Sequence, residues 1–431
     1  GYMEFEDWAV KFIDTPQFQR LRDIKQLGTA FYVFPGATHT RFEHSLGTAH
    51  LAYTLTKRLQ EQQGKNDDDD RNLKCVTLAA LCHDLGHGPY SHRFEHDFIQ
   101  GCLGMEWKHE DGSITMFKDL LEKNSIKLGS NDTFHDEDVE IIEALIKGKR
   151  NWQTKRKIPK YLFDIVSNER NSIDVDKFDY FARDCYYTGV KRSFDFSRLM
   201  RLSRVMNDKI VYYYKECYLI YDLFHTRYSL HKTVYKHRIV RAIDHMICDV
   251  LKEAKQYLAK KYGFEDFKDA ICDAEKYIRL SDSIFHEIEH SDDKEKVRER
   301  KFYKLVDECL IEPKDENEKK EIIEEIINSG ATLCGEHLKS DVVIVDWLGF
   351  DYGKKDKNPV KYVKFYNKID KEPFNIKRED VSYLLPIVYK EETIRIYLRT
   401  NGKEEKTELK KSVDLIKNAF REKAKSLNII K

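Results

Sequence analysis

Histidine and aspartate stand side by side at His83 and Asp84, closing the run Ala79-Ala80-Leu81-Cys82 and followed by Leu85-Gly86-His87-Gly88-Pro89. An imidazole and a carboxylate on an otherwise apolar helix are costly to bury unless something compensates them, so this stretch restricts the folds open to the chain. The last two turns of the predicted helix over 72–85 are almost wholly apolar, which marks it as central and buried. Gly86, Gly88 and Pro89 end it and turn His87 and His92 back toward the same place. Upstream lies His44, in Arg41-Phe42-Glu43-His44; downstream lies Asp176, in Asp174-Val175-Asp176-Lys177. His44, His83, Asp84 and Asp176 offer two imidazoles and two carboxylates. Such a set suits zinc, iron or manganese with positions left open for water and substrate.

The surrounding pattern predicts a mainly α fold, a helical core with a smaller C-terminal α/β lobe. Helical spacing runs from Ser45 to Gln63, where Gly64 stops it, and further helices are expected over 136–147, 161–167, 177–184 and 219–251. The cluster Asp67 to Asp70 reads as a solvated loop rather than a calcium site. Beyond about residue 265 the texture changes, dividing 1–265 from 266–431. Lys and Glu dominate 292–325, as in exposed helices carrying i, i+4 charge pairs. Val342 to Val345 reads as a strand, and so does Thr393 to Thr400, where Ile394, Ile396 and Leu398 alternate with Arg395, Tyr397 and Arg399. A closing helix is expected over 412–427, and no internal repeat is present.

Composition excludes some classes. No apolar run approaches the ~18 residues that span a bilayer, and the N-terminus lacks a signal-peptide pattern, so no membrane association is expected. Seventy-five basic and 75 acidic residues cancel, which argues against a generally basic nucleic-acid coat but leaves local basic pockets open. Nine cysteines without a CxxC pair read as reduced thiols, hence a nuclear or cytoplasmic protein. Gly1 in place of Met leaves room for a longer natural N-terminus. With the four metal candidates, these features predict a metal-dependent phosphohydrolase, the ion polarising a phosphoryl oxygen and acidifying bound water.

Longer motifs sharpen this. Gln17-Phe18-Gln19-Arg20-Leu21-Arg22, Tyr32-Val33-Phe34-Pro35-Gly36-Ala37 and Arg41-Phe42-Glu43-His44-Ser45-Leu46-Gly47 resemble the opening of the HD-domain deoxynucleoside triphosphate triphosphohydrolases. The stretch from Ile173 to Asp184 is similar to their second metal motif. Asp222-Leu223-Phe224-His225-Thr226-Arg227 and Asp351-Tyr352-Gly353 resemble the animal branch, whose members carry a sterile-alpha-motif domain before the HD domain. The match runs from about Asp14 to Arg399; no sterile-alpha-motif domain precedes it here, so that domain is read as absent or removed.

The resemblance implies an HD-domain core in 1–265 and a regulatory and oligomerisation lobe in 266–431. It implies cleavage of a dNTP to deoxynucleoside and inorganic triphosphate by attack at the α-phosphorus, with magnesium on the nucleotide. His92 and His109 match histidines beside the scissile phosphorus, His109 being the candidate general acid, and His87 joins the catalytic set. Glu95 stands where the vertebrate pattern has Asp, as partner of His92, a solvated surface salt bridge being the competing reading. Arg41, Lys177 and Arg227 would neutralise the triphosphate. Gln26 and Asp184 would bond the 3′-hydroxyl, Leu27 and Tyr235 would close the C2′ face against ribonucleotides, and Tyr180 and His231 complete the substrate set.

Regulation follows by the same likeness, in which GTP and then a dNTP bind between subunits and convert dimers to active tetramers. Asp14, Gln19 and Arg22 match the guanine-reading residues, and Arg300 and Lys304 match a basic pair from a neighbouring subunit. The segment that completes both pockets in the family would precede Gly1. Val33, Phe34, Arg198, Lys215, His237 and Arg238 match the second effector pocket, although Tyr213 stands where the family has Arg and Leu219 where it has Asn. By analogy the activity would lower dNTP pools and restrict viruses. The alternatives left open are an HD phosphohydrolase of other nucleotides, a single-stranded nucleic-acid binder or nuclease, and a scaffold that has lost activity.

Overall fold

Val76 to Cys82, expected to be buried, are indeed enclosed in the helix Asp69–Cys82 of the computed structural model. The structure describes residues 2–64, 66–126, 135–191, 195–289, 291–333, 342–369, 372–427 and 429. Asp69 and Asp70, read from sequence as loop, instead form the first turn of this helix, where acidic side chains complement the positive end of the helix dipole. The neighbouring helix Arg41–Gln63 starts one turn earlier than the apolar spacing suggested. Thr40 and Glu43 form a capping box there, with the Thr40 N–H donating to Glu43 at 2.9 Å, and Gly64 ends the helix at φ 87°.

The chain divides into two units, one of residues 1–227, 251–289 and 358–385, the other of 228–250, 290–357 and 386–431; the expected boundary near 265 falls inside the first. The first unit is mainly helical. Its helix Val175–Thr188 begins with Asp174 accepting the Lys177 N–H and ends on Gly189 at φ 72°. The helix expected over 161–167 is a short 3-10 helix, Lys160–Asp164. This unit also holds a three-stranded sheet that was not anticipated. Ser203–Met206 and Lys209–Tyr213 pair as a hairpin, and Phe365–Tyr366 joins in parallel with Tyr212 opposite Phe365. Asn207 and Asp208 turn the hairpin with φ 50° and 54°, a two-residue signal legible in sequence.

In the second unit the antiparallel sheet runs Lys304–Ile311, Lys390–Leu398, Val343–Asp351 in spatial order. Ile394, Ile396 and Leu398 face Phe420 and Ile416 of the helix Lys406–Ser426 and Ile326 of Glu316–Leu333. The alternate positions Arg395 and Tyr397 are buried as well, because Tyr397 donates to the Arg238 carbonyl at 2.9 Å and Arg395 ion-pairs with Glu308. The charged run 292–325 is therefore not helical throughout. Lys304–Ile311 is a strand because its partner across the ladder, remote in sequence, supplies its hydrogen bonds.

One long helix was expected over 219–251. The structure breaks it into Cys217–Leu230, a wide π turn over His231–Tyr235, and Arg238–Tyr262. The Lys236 N–H reaches back to the His231 carbonyl at 2.9 Å, and His237 Nδ1 accepts the Ile239 N–H to start the next helix. Apolar periodicity persists across such a break and so does not reveal it. The eight described cysteines are free thiols, and Cys334 lies outside the described residues. Among the described residues no helix is long and apolar enough to cross a membrane.

Candidate functional site

Three helices of the first unit deliver the donor groups. His44 lies in the first turn of Arg41–Gln63, His83 and Asp84 follow directly on Asp69–Cys82, and Asp176 lies in the first turn of Val175–Thr188. His44 Nε2 is 3.1 Å from Asp176 Oδ1 and 3.4 Å from Asp84 Oδ2. His83 Nε2 is 3.4 Å from Asp84 Oδ1 and 3.5 Å from Asp176 Oδ1. Donors around one ion at ~2.0–2.2 Å would stand roughly 3.0–3.5 Å apart, so His44, His83 and Asp176 fit a divalent metal, with Asp84 beside them reaching His44 through Oδ2 and His83 through Oδ1.

The outer nitrogens are tied off in the way metal-binding imidazoles require. Asp179 accepts from His44 Nδ1 at 2.7 Å and the Ala80 carbonyl accepts from His83 Nδ1 at 2.8 Å, which turns both Nε2 lone pairs inward. Both Nε2 atoms are buried and make no hydrogen bond of their own, the mark of a nitrogen awaiting a Lewis acid. Gly47 makes the Asp179 contact feasible, since a Cβ there would lie 1.9 Å from Asp179 Oδ1. Arg183 then fixes Asp179 through two hydrogen bonds of 2.8 Å.

Charge in the cluster is compensated from its edge. Burial acts to lower the His44 imidazole pKa, but Asp176 and Asp179 outweigh it and carry it up to about 10. Burial acts to raise the Asp176 carboxyl, yet His44 and His83 hold it far below its usual range. Asp84 is likewise buried, and Arg41 at 2.7 Å keeps it ionised. The carboxylates around His44 favour positive charge there, and a divalent ion would supply it.

Beside the quartet lies a second group. His87 stacks on His109 with ring centroids 4.0 Å apart, and His92 lies 4.8 Å from His87 and 5.3 Å from His109. Burial, then Arg41 and His109, push the His87 pKa well below its ordinary value, so it stays neutral. Glu95 is 3 % exposed, which removes the surface-salt-bridge reading. Its close partner is His109 Nδ1 at 2.6 Å, whereas His92 Nδ1 lies at 4.0 Å. The extra methylene of Glu over Asp gives the reach. Burial opposes charge on both, but their hydrogen bond lowers the Glu95 pKa and raises that of His109, giving a carboxylate–imidazolium pair.

The remaining expected residues are placed unequally. Arg41 is 4 % exposed and is spent on Asp84, on Ser91 Oγ at 3.0 Å and on the Gln26 carbonyl at 3.3 Å. Lys177 lies 3.0 Å from Asp174. Tyr180, its phenol pKa raised by burial, is within electrostatic reach of Arg227, Asp176 and Asp184. Gln26 is buried and Leu27 half-buried. His231, Tyr235, His237, Arg238, Arg300 and Lys304 belong to the second unit. Near the N-terminus, Asp14 is exposed, and Arg22 donates to Gln19 at 2.7 Å while its guanidinium lies 3.5 Å over the Phe42 ring. Val33 and Phe34 are half-buried, Lys215 is exposed, and Arg198 pairs with Glu216 at 2.7 Å. Sequence reasoning missed the supports: Asp179, Arg183 and Ser91. Asp179 and Arg183 carry a legible signal, since they lie three and seven residues beyond Asp176 on one helix face.

The HD domain model matches residues 41–184, the span that holds the quartet. Over 440 residues the chain is 40 % identical to the Deoxynucleoside triphosphate triphosphohydrolase SAMHD1 homolog of Dictyostelium discoideum, covering all of this chain and 80 % of that one. It is 39 % identical to the bovine (Bos taurus) SAMHD1 over 93 % of this chain and 74 % of the relative. To the human (Homo sapiens) SAMHD1 it is 39 % identical over 93 % and 69 %. With the HD quartet assembled and likeness extending along nearly the whole chain, this protein belongs to the SAMHD1 family of deoxynucleoside triphosphate triphosphohydrolases.

Proposed function

We propose that this chain hydrolyses deoxynucleoside triphosphates to deoxynucleoside and inorganic triphosphate, with His44, His83, Asp84 and Asp176 holding a divalent ion. The observation that carries the reading is the Glu95–His109 pair standing beside the donors His44, His83 and Asp176, in a chain so similar to triphosphohydrolases. Two nitrogens and two carboxylates suit zinc, iron or manganese, with magnesium on the nucleotide. When bound, the ion supplies Lewis-acid polarisation of a phosphoryl oxygen.

The residues of the chain would do the rest. Water attacks the α-phosphorus and the bond to the sugar O5′ breaks. His109, its Nδ1 held by Glu95, donates a proton from Nε2 to the departing O5′. His92 takes the proton that the attacking water sheds, and neutral His87 keeps like charge away from His109. Arg41, Lys177 and Arg227 bring positive charge to the phosphates, and Tyr180 lines the substrate. Gln26 and Asp184 read the 3′-hydroxyl, while Leu27 closes against a 2′-hydroxyl.

Effector control belongs to the same reading: GTP at Asp14, Gln19 and Arg22, a dNTP at Val33, Phe34, Arg198, Lys215, His237 and Arg238, and a homotetramer with Arg300 and Lys304 reaching a neighbour. Tyr213, packed 5.5 Å from Tyr366, offers the second pocket no charge, so activation by dNTP should be the weaker. The free thiols suit a reducing compartment, nucleus or cytoplasm.

Turnover of dGTP in magnesium and then manganese, with and without GTP, tests the reading when products are resolved by chromatography. Deoxyguanosine and triphosphate are expected; orthophosphate, or pyrophosphate with dGMP, would reject cleavage of the bond between the α-phosphorus and O5′. A pH profile tests the acid. Glu95 raises the His109 pKa, so the proton is retained to higher pH and activity is lost only as pH rises through that raised value. In Glu95→Gln the basic limb of kcat should move down by about one pH unit. An unmoved limb would remove His109 from the role.

A further inference from the structure

We infer, on the proposed reading of Gln26 and Asp184 as the 3′-hydroxyl readers, that His39 is the positioning residue that holds both of them. His39 is 1 % exposed and lies in none of the motifs' assigned roles. Its backbone carbonyl accepts the Gln26 N–H at 3.0 Å, and its Nε2 lies 2.7 Å from Asp184 Oδ1. One residue thus reaches a loop through its main chain and the helix Val175–Thr188 through its side chain.

The tautomer follows from burial. His39 Nδ1 is buried without a hydrogen-bond partner. An orphaned lone pair is more readily borne than an orphaned N–H, so the proton sits on Nε2 and is donated to Asp184. That bond sets the rotation of a carboxylate that is itself 1 % exposed. Stacking seats the ring, with the Tyr187 centroid 4.5 Å away at 15°. The loop can approach this closely because residue 36 is glycine; a Cβ there would lie 2.4 Å from the Tyr187 carbonyl oxygen. On the other side, Lys25 and Thr40 form an antiparallel bridge and the Arg41 N–H donates to the Ile24 carbonyl at 2.9 Å, so Gln26 is registered against His39.

Gln26 presents what such a clamp would serve. Its Oε1 is buried and accepts no hydrogen bond from the protein. A buried amide oxygen in that condition is satisfied by a ligand hydroxyl, and the 3′-hydroxyl of a deoxyribose is one. With Asp184 and Gln26 both held from His39, the discrimination between a sugar with and without that hydroxyl depends on a residue that need not touch the nucleotide.

The test compares kcat/KM for dGTP with that for 2′,3′-dideoxy-GTP in metal-loaded enzyme. His39→Phe keeps the stacked ring and loses the donor; the preference for dGTP should fall about tenfold, through KM more than kcat, with dideoxy-GTP little changed. His39→Gln, which can still donate to Asp184, should recover part of it. Asp184→Ala sets the scale. If the wild-type enzyme and Asp184→Ala show the same preference, the reading of Asp184 itself fails. If Asp184→Ala loses the preference and His39→Phe keeps it, the role of His39 is overturned. Should His39→Phe not fold, as a thermal melt would reveal, Gly36→Ala pushes the same loop off Tyr187 and must lower the preference; an unchanged ratio there also overturns it.

Discussion

His83→Ala should abolish triphosphate release, by about a thousandfold or more, and strip the protein of its divalent ion. The reason is geometric. His83 Nε2 closes one side of a donor set whose spacings run from 3.1 to 3.5 Å, and alanine leaves that side without its nitrogen. Asp176→Ala should do the same, because the Asp176 oxygen is the one that both imidazoles approach. Metal stoichiometry by mass spectrometry, read beside chromatography of the products, separates the outcomes. Full activity without the ion would mean that the quartet is not the reaction centre. A full complement of ion in His83→Ala would mean that this imidazole is not a ligand.

Arg41→Ala should destabilise the metal-free protein by about 3–5 kcal/mol, the cost of stranding a buried carboxylate. Asp84 is 2 % exposed, and Arg41 is its nearest cation at 2.7 Å. The same guanidinium also satisfies Ser91 Oγ and the Gln26 carbonyl. A bound divalent ion gives Asp84 a second counter-charge and favours the folded state that holds it, so loading the variant with metal should recover part of the loss. Urea unfolding in chelator and in metal measures both. A metal-free Arg41→Ala within about 1 kcal/mol of wild type would show that Asp84 is compensated elsewhere.

Some of this was open to reading along the chain. Adjacent His83 and Asp84 after an apolar helix, with Gly86 and Pro89 behind them, announce a buried polar pair at a helix end, and burial demands compensation. A helix was expected over 177–184 and runs Val175–Thr188; the shared face of Asp176, Asp179 and Arg183 was there to be read at helical spacing, though Asp179 and Arg183 were missed. Strand Lys390–Leu398 announced its apolar face by period-two alternation. These are local properties, carried by side chains within a turn or two of one another.

Tertiary structure alone decided the rest, because it depends on partners far apart in sequence. Lys304–Ile311 lies in a run rich in charge and becomes a strand only through its ladder with Lys390–Leu398. Arg395 and Tyr397, polar by pattern, are buried because the other side of the sheet is covered too. Glu95 chose His109 over His92 by a difference in reach that no spacing encodes. His39 carries no motif, and its place between Gln26 and Asp184 exists only once a loop and a helix 145 residues further on have met. Sequence by itself determined which groups need compensation; the fold determined which groups supply it, since a hydrogen bond or an ion pair is set by ångströms in space rather than by positions along a chain.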